Sequence, residues 1–204
     1  YANIKNAIQF LLSGNMSAIL CVVYASVMGL SVPFAPVHLL FINLLTDSLP
    51  AIAIGMEPAR KGLLRHKPRD PKEPILDRGL LQRIFGQGLL IAVPVMAAFY
   101  LGLSYGGPAA ASTMAFATLT LARLFHGFNC RGEESIFRLG FRSNPFSLAA
   151  FGGGVLLLLA VLFIPGLNTL FQATALDMTH LLEILGLAFL PTLIIQIFKL
   201  IRGR

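Results

Sequence analysis

Charged residues are scarce in this sequence, and so are cysteines. Only 12% of the 204 residues are Asp, Glu, Lys or Arg, whereas a soluble domain typically carries about 25%, and 56% are hydrophobic. This composition excludes an ordinary soluble domain and indicates a protein that faces lipid. The two cysteines, Cys21 and Cys130, lie within or at the end of apolar segments, a placement that excludes a disulfide framework.

The net charge of +7 does not indicate nucleic-acid binding. Lys and Arg occur in a few short clusters between long apolar segments, which is the pattern of membrane proteins. The sequence lacks the stripes of basic and aromatic residues on which bases stack. We therefore expect the lipid bilayer, and no nucleic acid, among the partners of this chain.

Six apolar segments are long enough to cross a membrane as helices, which takes about 20 residues each. They cover residues 7–30, 36–56, 80–103, 109–128, 145–165 and 178–201. The motif Gly106-Gly107-Pro108 separates the third segment from the fourth, and Asp177 or Thr179 is expected to cap the last helix. The sequence predicts an all-α, polytopic membrane protein, with one transmembrane domain over residues 1–204 and six transmembrane helices.

Basic residues predict the orientation of these helices. Most Lys and Arg lie in the connections 57–78 and 130–144 and at the C-terminal end, whereas the connections near residues 31, 106 and 168 carry none. Six spans place all the basic connections on one side of the membrane, together with both chain termini. By the positive-inside rule, that side is cytoplasmic.

Asp47, near the middle of the second span, is the most informative residue. A carboxylate at mid-membrane costs about 2.5 to 3.5 kcal/mol on insertion scales, so it needs a partner or a wet cavity. Asn43, Thr46 and Asp47 stand at i, i+3 and i+4, which places their oxygens on one face of a regular helix. Pro50 has no N–H, so the carbonyl oxygen of Thr46 loses its helical donor.

This cluster has two interpretations. It is rich in the oxygen ligands that hard cations such as Ca²⁺ prefer, and broken helices at mid-membrane are where transporters place coordinating groups. The alternative is a structural polar bridge between helices, with Pro50 as a simple kink. Because intramembrane carboxylates are functional by default, we favour the cation site.

Two further polar residues inside the spans leave alternatives open. Asn15, in the motif Ser13-Gly14-Asn15, either supplies one oxygen to a cation or bonds across a close helix contact. Arg123 either couples to Asp47, the other charge deep inside a span, or extends toward the cytoplasmic surface. A lone His126 is expected to form hydrogen bonds at a helix end rather than to bind metal.

Two peripheral features complete the pattern. His38, near the extracytoplasmic end of the second span, is expected to lie at the membrane interface. The cytoplasmic segment 67–74 has proline at every third position, which makes it stiff and extended. That segment is either a docking surface for another cytoplasmic part or a solvated loop on anionic lipid.

At these motifs the chain resembles P-type calcium pumps. The segment NLLTDSLPA at 43–51 and GMEP at 55–58 resemble the sixth membrane helix of these pumps, and RDPKEP at 69–74 resembles the loop after it. The opening YANIK and Asn15 resemble the fifth helix, and FNCR at 128–131 resembles the end of the eighth helix in bacterial members. The likeness covers the whole chain and implies helices five to ten of a ten-helix pump.

This resemblance implies a fragment of a larger protein, and the absence of Met at the start agrees with a cut segment. Its expected partners are the lipid bilayer and the remaining transmembrane helices and cytoplasmic domains of the same pump. Its expected location, as an integral multi-pass protein, is a bacterial plasma membrane. The transported ion that the resemblance implies is Ca²⁺.

The resemblance also implies roles for the polar residues. Asn43 and Asp47 match the ligands that bind the metal in one calcium site, whereas Thr46 and Asn15 match ligands of a second site. A further ligand of the first site, a glutamate of the fourth helix, would lie outside this chain.

Two departures from two-site pumps concern that second site. Those pumps have glutamates where this chain has Ala18 and Arg123. The pattern resembles that of bacterial and plasma-membrane pumps that carry one calcium ion per cycle. Our hypothesis is that Arg123 fills the second site as a built-in positive charge.

The sequence contains neither the phosphorylation motif Asp-Lys-Thr-Gly-Thr nor a phosphate-binding glycine loop. We therefore expect no catalytic residue in this fragment, which acts as an enzyme only within an intact calcium-transporting ATPase that uses ATP and Mg²⁺. The alternatives are a non-enzymatic membrane subunit and a secondary cation transporter or channel that uses Asp47. The oxygen ligands also leave Mn²⁺ and Na⁺ as alternatives to Ca²⁺.

Overall fold

The computed structural model describes residues 1–58 and 74–202, and within these ranges all regular structure is helical. The prediction of an all-α protein is confirmed. The proline-rich segment 67–74 lies outside the described residues except for Pro74. Eight α-helices and one π-helical turn, Ile42–Thr46, follow in chain order: α1 Ala2–Val27, α2 Pro36–Phe41, the π-helical turn, α3 Ser48–Gly55, α4 Arg78–Asn129, α5 Ile136–Leu139, α6 Pro145–Phe163, α7 Leu167–Leu170 and α8 Met178–Ile201.

Five helical stretches of the described chain are long and apolar enough to cross a membrane. They are Ala2–Val27, Pro36–Gly55, Arg78–Asn129, Pro145–Phe163 and Met178–Ile201. The chain is therefore an integral, multi-pass membrane protein. The third and fourth predicted spans both fall within α4, whose 52 residues would extend about 78 Å as a straight helix. The hydrocarbon core of a bilayer is only about 30 Å thick.

The helix α4 is not straight, because its backbone leaves helical geometry at Gly106 and Gly107. Gly107 has φ 74° and ψ −160°, a combination that glycine adopts without steric penalty. Beyond this break the chain returns along itself: a Cβ atom added to Gly102 would lie only 2.5 Å from the Cα atom of Ala111. In a straight helix these two residues would be about 13.5 Å apart along the axis. Thus α4 consists of two packed segments, 78–105 and 108–129.

The second segment of α4 forms the centre of the bundle. Most of its side chains are buried, Met114, Phe116 and Leu119 completely, and α1 and α8 pack mainly against α4. Large apolar side chains on the outer faces are exposed, for example Val93 and Leu156. So much exposed apolar surface would promote association in water, but it suits contact with lipid.

Side-chain caps mark the start of three long helices, α4, α6 and α8. Asp77 accepts a hydrogen bond from the Leu80 backbone N–H (2.7 Å), and Asn144 caps α6 in the same way. Asp177 accepts from the His180 backbone N–H at 2.9 Å, which confirms Asp177 as the cap of the last helix. Each cap satisfies one of the backbone donors that a helix start leaves unpaired.

His38 packs inside the bundle, and the expectation that it lies at the depth of the membrane interface stays a prediction. This side chain is fully buried, its Nε2 donates a hydrogen bond to the carbonyl oxygen of Phe171 (2.6 Å), and its ring stacks on Phe116 with centroids 4.3 Å apart. His38 therefore holds the connection between α7 and α8 against the bundle. Burial of this histidine is tolerated because its ring N–H has a carbonyl acceptor.

Candidate cation site

The helix that carries Asp47 is broken at this residue. Before it, the chain forms the π-helical turn Ile42–Thr46, and the Asp47 backbone N–H donates to the carbonyl oxygen of Ile42, five residues earlier, at 2.8 Å. After it, Pro50 in the first turn of α3 has no N–H to donate back to Thr46. Single π-helical turns inside helices occur frequently at functional sites.

This turn changes which side chains share a face. Thr46 and Asp47 are buried, each with 1% of its surface exposed, whereas Asn43 is exposed. The predicted common face therefore holds for Thr46 and Asp47 only. The extra residue in the π-helical turn rotates Asn43 away, because the i, i+3, i+4 rule assumes 3.6 residues per turn.

Asp47 forms a buried ion pair with Arg123 of α4. The Nη2 atom of Arg123 donates to Oδ2 of Asp47, and each side chain is only 2% exposed. The predicted coupling of the two charges is confirmed, and the alternative in which Arg123 extends to the cytoplasmic surface is wrong. Neither charge is left alone in a region where an unpaired charge is expensive.

Asn15 of α1 joins this pair. Its Oδ1 atom accepts a hydrogen bond from the same Nη2 atom of Arg123 at 3.0 Å. The guanidinium thus links three helical elements: α1, the break at Asp47 and α4. The amide oxygen of Asn15 therefore already accepts a hydrogen bond from the positively charged Arg123.

A close approach of two helices makes this contact possible. A Cβ atom added to Gly14 would lie 2.5 Å from Nε and 2.7 Å from Cζ of Arg123. The guanidinium therefore lies directly on the backbone of α1, where no side chain fits. The motif Ser13-Gly14-Asn15 correctly indicated a close helix contact, although the sequence did not identify Arg123 as the group that fills it.

Two polar atoms of the pair make no hydrogen bond to any described residue: Oδ1 of Asp47 and Nε of Arg123. A buried carboxylate oxygen without a partner is costly, and it is a ready ligand for a hard cation. The preceding residue, Thr46, donates from its hydroxyl to the carbonyl oxygen of Ile42 at 3.0 Å. The described residues contain no cluster of three or more His, Cys, Asp or Glu side chains that could hold a metal ion.

His126 lies one turn after Arg123 and is fully buried. Its Nε2 atom is 2.9 Å from the Ser13 hydroxyl and 3.3 Å from Sγ of Cys130, and its Nδ1 atom is 3.3 Å from the Asn129 amide nitrogen. These contacts confirm the expectation of a hydrogen-bonding histidine. They also fasten α1 to α4 next to the ion pair.

A second buried ion pair, which the sequence did not indicate, lies after α3. Arg131 donates from Nε and Nη2 to the two carboxylate oxygens of Glu57 at 2.9 and 2.8 Å. Asn144 donates to the same carboxylate at 2.7 Å, and Asn3 donates to the Glu57 carbonyl oxygen at 2.8 Å. Sequence reasoning counted Arg131 only as a cytoplasmic cation, since the pairing spans 74 residues.

In this arrangement one oxygen of the Asp47 carboxylate is paired with Arg123, and the other is left to coordinate a cation. Oδ2 of Asp47 is taken by Arg123, whereas Oδ1 points at no described donor. The short helix α3 connects Asp47 to the Glu57–Arg131 pair.

Comparison with known proteins gives a consistent result. Residues 31–201 match the family model described as "Cation transporting ATPase, C-terminus". The chain is similar to a calcium-transporting ATPase of Bacillus subtilis (35% identity over 198 residues, 96% of this chain and 22% of the relative). It is also similar to one of Listeria monocytogenes (36% over 209 residues, 100% and 23%) and to the human calcium-transporting ATPase type 2C member 2 (31% over 203 residues, 98% and 22%). The chain spans about a fifth of the length of these curated relatives.

Proposed function

The chain belongs to the family of cation-transporting ATPase C-termini, and from this membership we propose that it is the C-terminal membrane part of a P-type pump that carries Ca²⁺. In this proposal the chain contributes part of the intramembrane ion site. ATP hydrolysis with Mg²⁺ takes place in domains outside this chain. Because several relatives are named as calcium-transporting ATPases, Ca²⁺ takes precedence over Mn²⁺ and Na⁺.

The main support for this proposal is the buried carboxylate of Asp47. One of its oxygens is paired with Arg123, and the other has no hydrogen-bond partner among the described residues. In the proposed site, Oδ1 of Asp47 coordinates the ion while Oδ2 stays with Arg123. The guanidinium of Arg123 thus provides a positive charge beside the carboxylate that would coordinate the ion.

Asn43 is the proposed second ligand from this chain. It is exposed on the described surface, and we propose that the remaining transmembrane helices of the pump pack against that surface. Ca²⁺ takes about six to eight oxygen ligands, so further oxygens from those helices or from water would complete the site.

We propose that a single cation is carried per cycle. The ligands that match a second site are Thr46 and Asn15, and the Asn15 amide oxygen already accepts from Arg123. The guanidinium thus occupies the second site as a fixed positive charge. A second divalent cation beside it would be repelled at short range.

The proposed topology has six transmembrane helices in one domain, with both termini on the cytoplasmic side of a bacterial plasma membrane. The return of α4 on itself at Gly106 and Gly107 supports two spans within this helix. Basic residues of the connection between α4 and α6, such as Arg131 and Arg138, support the orientation by the positive-inside rule.

The test uses the full-length protein in proteoliposomes, with ATPase activity and ion uptake measured for Ca²⁺, Mn²⁺ and Na⁺. Wild-type protein is expected to be activated by micromolar Ca²⁺ and Asp47→Asn to lose this activation. Asp177→Asn, which removes a carboxylate far from the site while keeping a capping side chain, serves as the matched control. Full Ca²⁺ activation of Asp47→Asn would mean that Asp47 is structural, and activation by another ion alone would replace Ca²⁺.

The stoichiometry is tested by Arg123→Glu, which replaces the fixed cation with a carboxylate. We expect more than one Ca²⁺ bound per protein at saturation in equilibrium binding, together with a stronger pH dependence of binding. Unchanged stoichiometry and unchanged pH dependence would remove Arg123 from the proposed role.

A further inference from the structure

A cleft of about 410 Å³ opens at the end of the bundle where α1 and α4 begin and α8 ends. Its volume is in the range of a small-molecule site, about 300 to 1,000 Å³. The residues that line it include neither Asp47 nor Arg123, so it is distinct from the proposed cation site. Its walls come from the first turns of α1, residues 82–90 of α4, residues 129–133 and the last turns of α8.

The mouth of this cleft is basic. Arg83, Lys199 and Arg202 line it, and among the described residues Glu133 supplies the one carboxylate of the lining. Arg83 donates to Glu133 at 3.1 Å, and both side chains are almost half exposed. Such an exposed pair is weak and easily exchanged for another anion.

The other two cations are held in place by neighbouring groups. Lys199 donates to the carbonyl oxygens of Asn129 and Gly132 at 2.6 and 2.7 Å. The guanidinium of Arg202 lies over the ring of Phe198, with Cζ 4.1 Å from the centroid. Both positive charges are thereby kept in the wall of the cleft.

Deeper along the helices, the walls of the cleft are apolar and reach the outer surface of the bundle. Leu90, Ile194 and Phe198 line this part, and the last two are exposed to the surroundings. Gly86 lines the cleft as well, and a Cβ atom added there would have nothing within 4 Å. The space over Gly86 is therefore open to an elongated apolar group.

We propose that this cleft binds one anionic phospholipid, with its phosphate at Arg83 and Arg202 and its acyl chains along Leu90, Ile194 and Phe198. A basic mouth above an apolar channel matches the two parts of a phospholipid, and basic pockets between membrane helices on the cytoplasmic side bind acidic head groups. The excess of cations selects a net negative lipid over a zwitterionic one. This site does not depend on which ion the protein transports.

The experiment measures lipid binding to the full-length protein by native mass spectrometry, with dioleoylphosphatidylglycerol and dioleoylphosphatidylcholine as probes. We expect wild-type protein to bind the anionic lipid more tightly. Loss of both charges in Arg83→Gln/Arg202→Gln should lower the affinity for the anionic lipid by about thirtyfold, since one basic residue near an anionic lipid raises the affinity about fivefold. Gly86→Trp should block binding by filling the cleft.

Two control variants separate the cleft from general effects. Arg142→Gln removes an exposed cation elsewhere, and Gly186→Trp adds the same bulk at another exposed glycine with open space around it. Both should bind the anionic lipid as the wild type does. Equal affinity of the wild type for the two lipids, or unchanged binding in Gly86→Trp, would overturn the proposal. Competition by inorganic phosphate at the same concentration as the lipid would also overturn it, because the cleft would then be a phosphate site.

Discussion

Arg123 and Asp47 are 76 residues apart in sequence and neutralise each other at the centre of the bundle, each with 2% of its side chain exposed. A buried pair of this kind does not have to add stability, because desolvation of both ions offsets their attraction. Removal of one partner is different, since it leaves the other ion uncompensated.

The first prediction follows from this asymmetry. Arg123→Met in the full-length protein is expected to destabilise it by about 3 to 5 kcal/mol, because Asp47 is left as a buried, unpaired charge. The double variant Arg123→Met/Asp47→Asn should recover much of the loss. The measurement is a double-mutant cycle of unfolding free energies in detergent micelles. Additive effects of the two substitutions would mean that the pair is not energetically coupled.

The second prediction concerns the glycine below the guanidinium. Gly14→Ala places a Cβ atom 2.5 Å from Nε of Arg123, so the guanidinium has to move away from Asn15 and Asp47. We expect a loss of about 1 to 3 kcal/mol in unfolding free energy, as for other overpacked sites, and weaker Ca²⁺ binding. Gly152→Ala is the control, because its Cβ atom would meet nothing within 4 Å. If both variants behaved alike, the close approach at Gly14 would not matter.

The sequence predicted the Asp47–Arg123 pair because only these two charges lie deep inside spans, and each requires a partner in a medium of low polarity. It also placed a boundary at Gly106, where the backbone of α4 leaves helical geometry. The six-helix count and the ligand roles of Asn43, Asp47, Thr46 and Asn15 stay predictions.

Two features escaped sequence reasoning for physical reasons. The π-helical turn Ile42–Thr46 adds one residue to a turn and moves Asn43 to the exposed side. The spacing rule that places residues i, i+3 and i+4 on one face assumes a regular α-helix. The Glu57–Arg131 pair joins two residues that look like ordinary charges of cytoplasmic connections. Only the packing of the bundle shows that Arg131 has no exposed side-chain surface.

The third prediction compares this pair with an exposed one. In Glu57→Gln the bidentate contact to the buried Arg131 is lost, and we expect a destabilisation of about 3 kcal/mol or more. In Glu133→Gln the partner Arg83 is almost half exposed, so the expected change is about 0 to 1 kcal/mol. The measurement is the unfolding free energy of the two variants of the full-length protein under the same conditions. Equal effects would show that burial does not determine the contribution of Glu57.

The fourth prediction concerns acid stability at the start of α4. Lys5 of α1 pairs with Asp77, and the side-chain hydrogen bond from Lys5, followed by that from the Leu80 backbone N–H, holds the pKa of this carboxyl below its ordinary value. A carboxyl whose pKa is lower in the folded state stabilises the fold above its ordinary pKa of about 3.9. That contribution is lost as the pH falls from this value through the folded-state pKa.

Asp77→Asn removes the titrating group and keeps a capping side chain. We therefore expect the variant to be less stable than the wild type at neutral pH and the difference to shrink as the pH falls below about 4, because the wild-type carboxyl is then protonated as well. The melting temperature of the full-length protein, measured from pH 7 to pH 3 for both forms, checks this convergence. A difference that stays constant over this range would show that the ion pair with Lys5 does not stabilise the junction of α1 and α4, and that any loss arises from the cap alone.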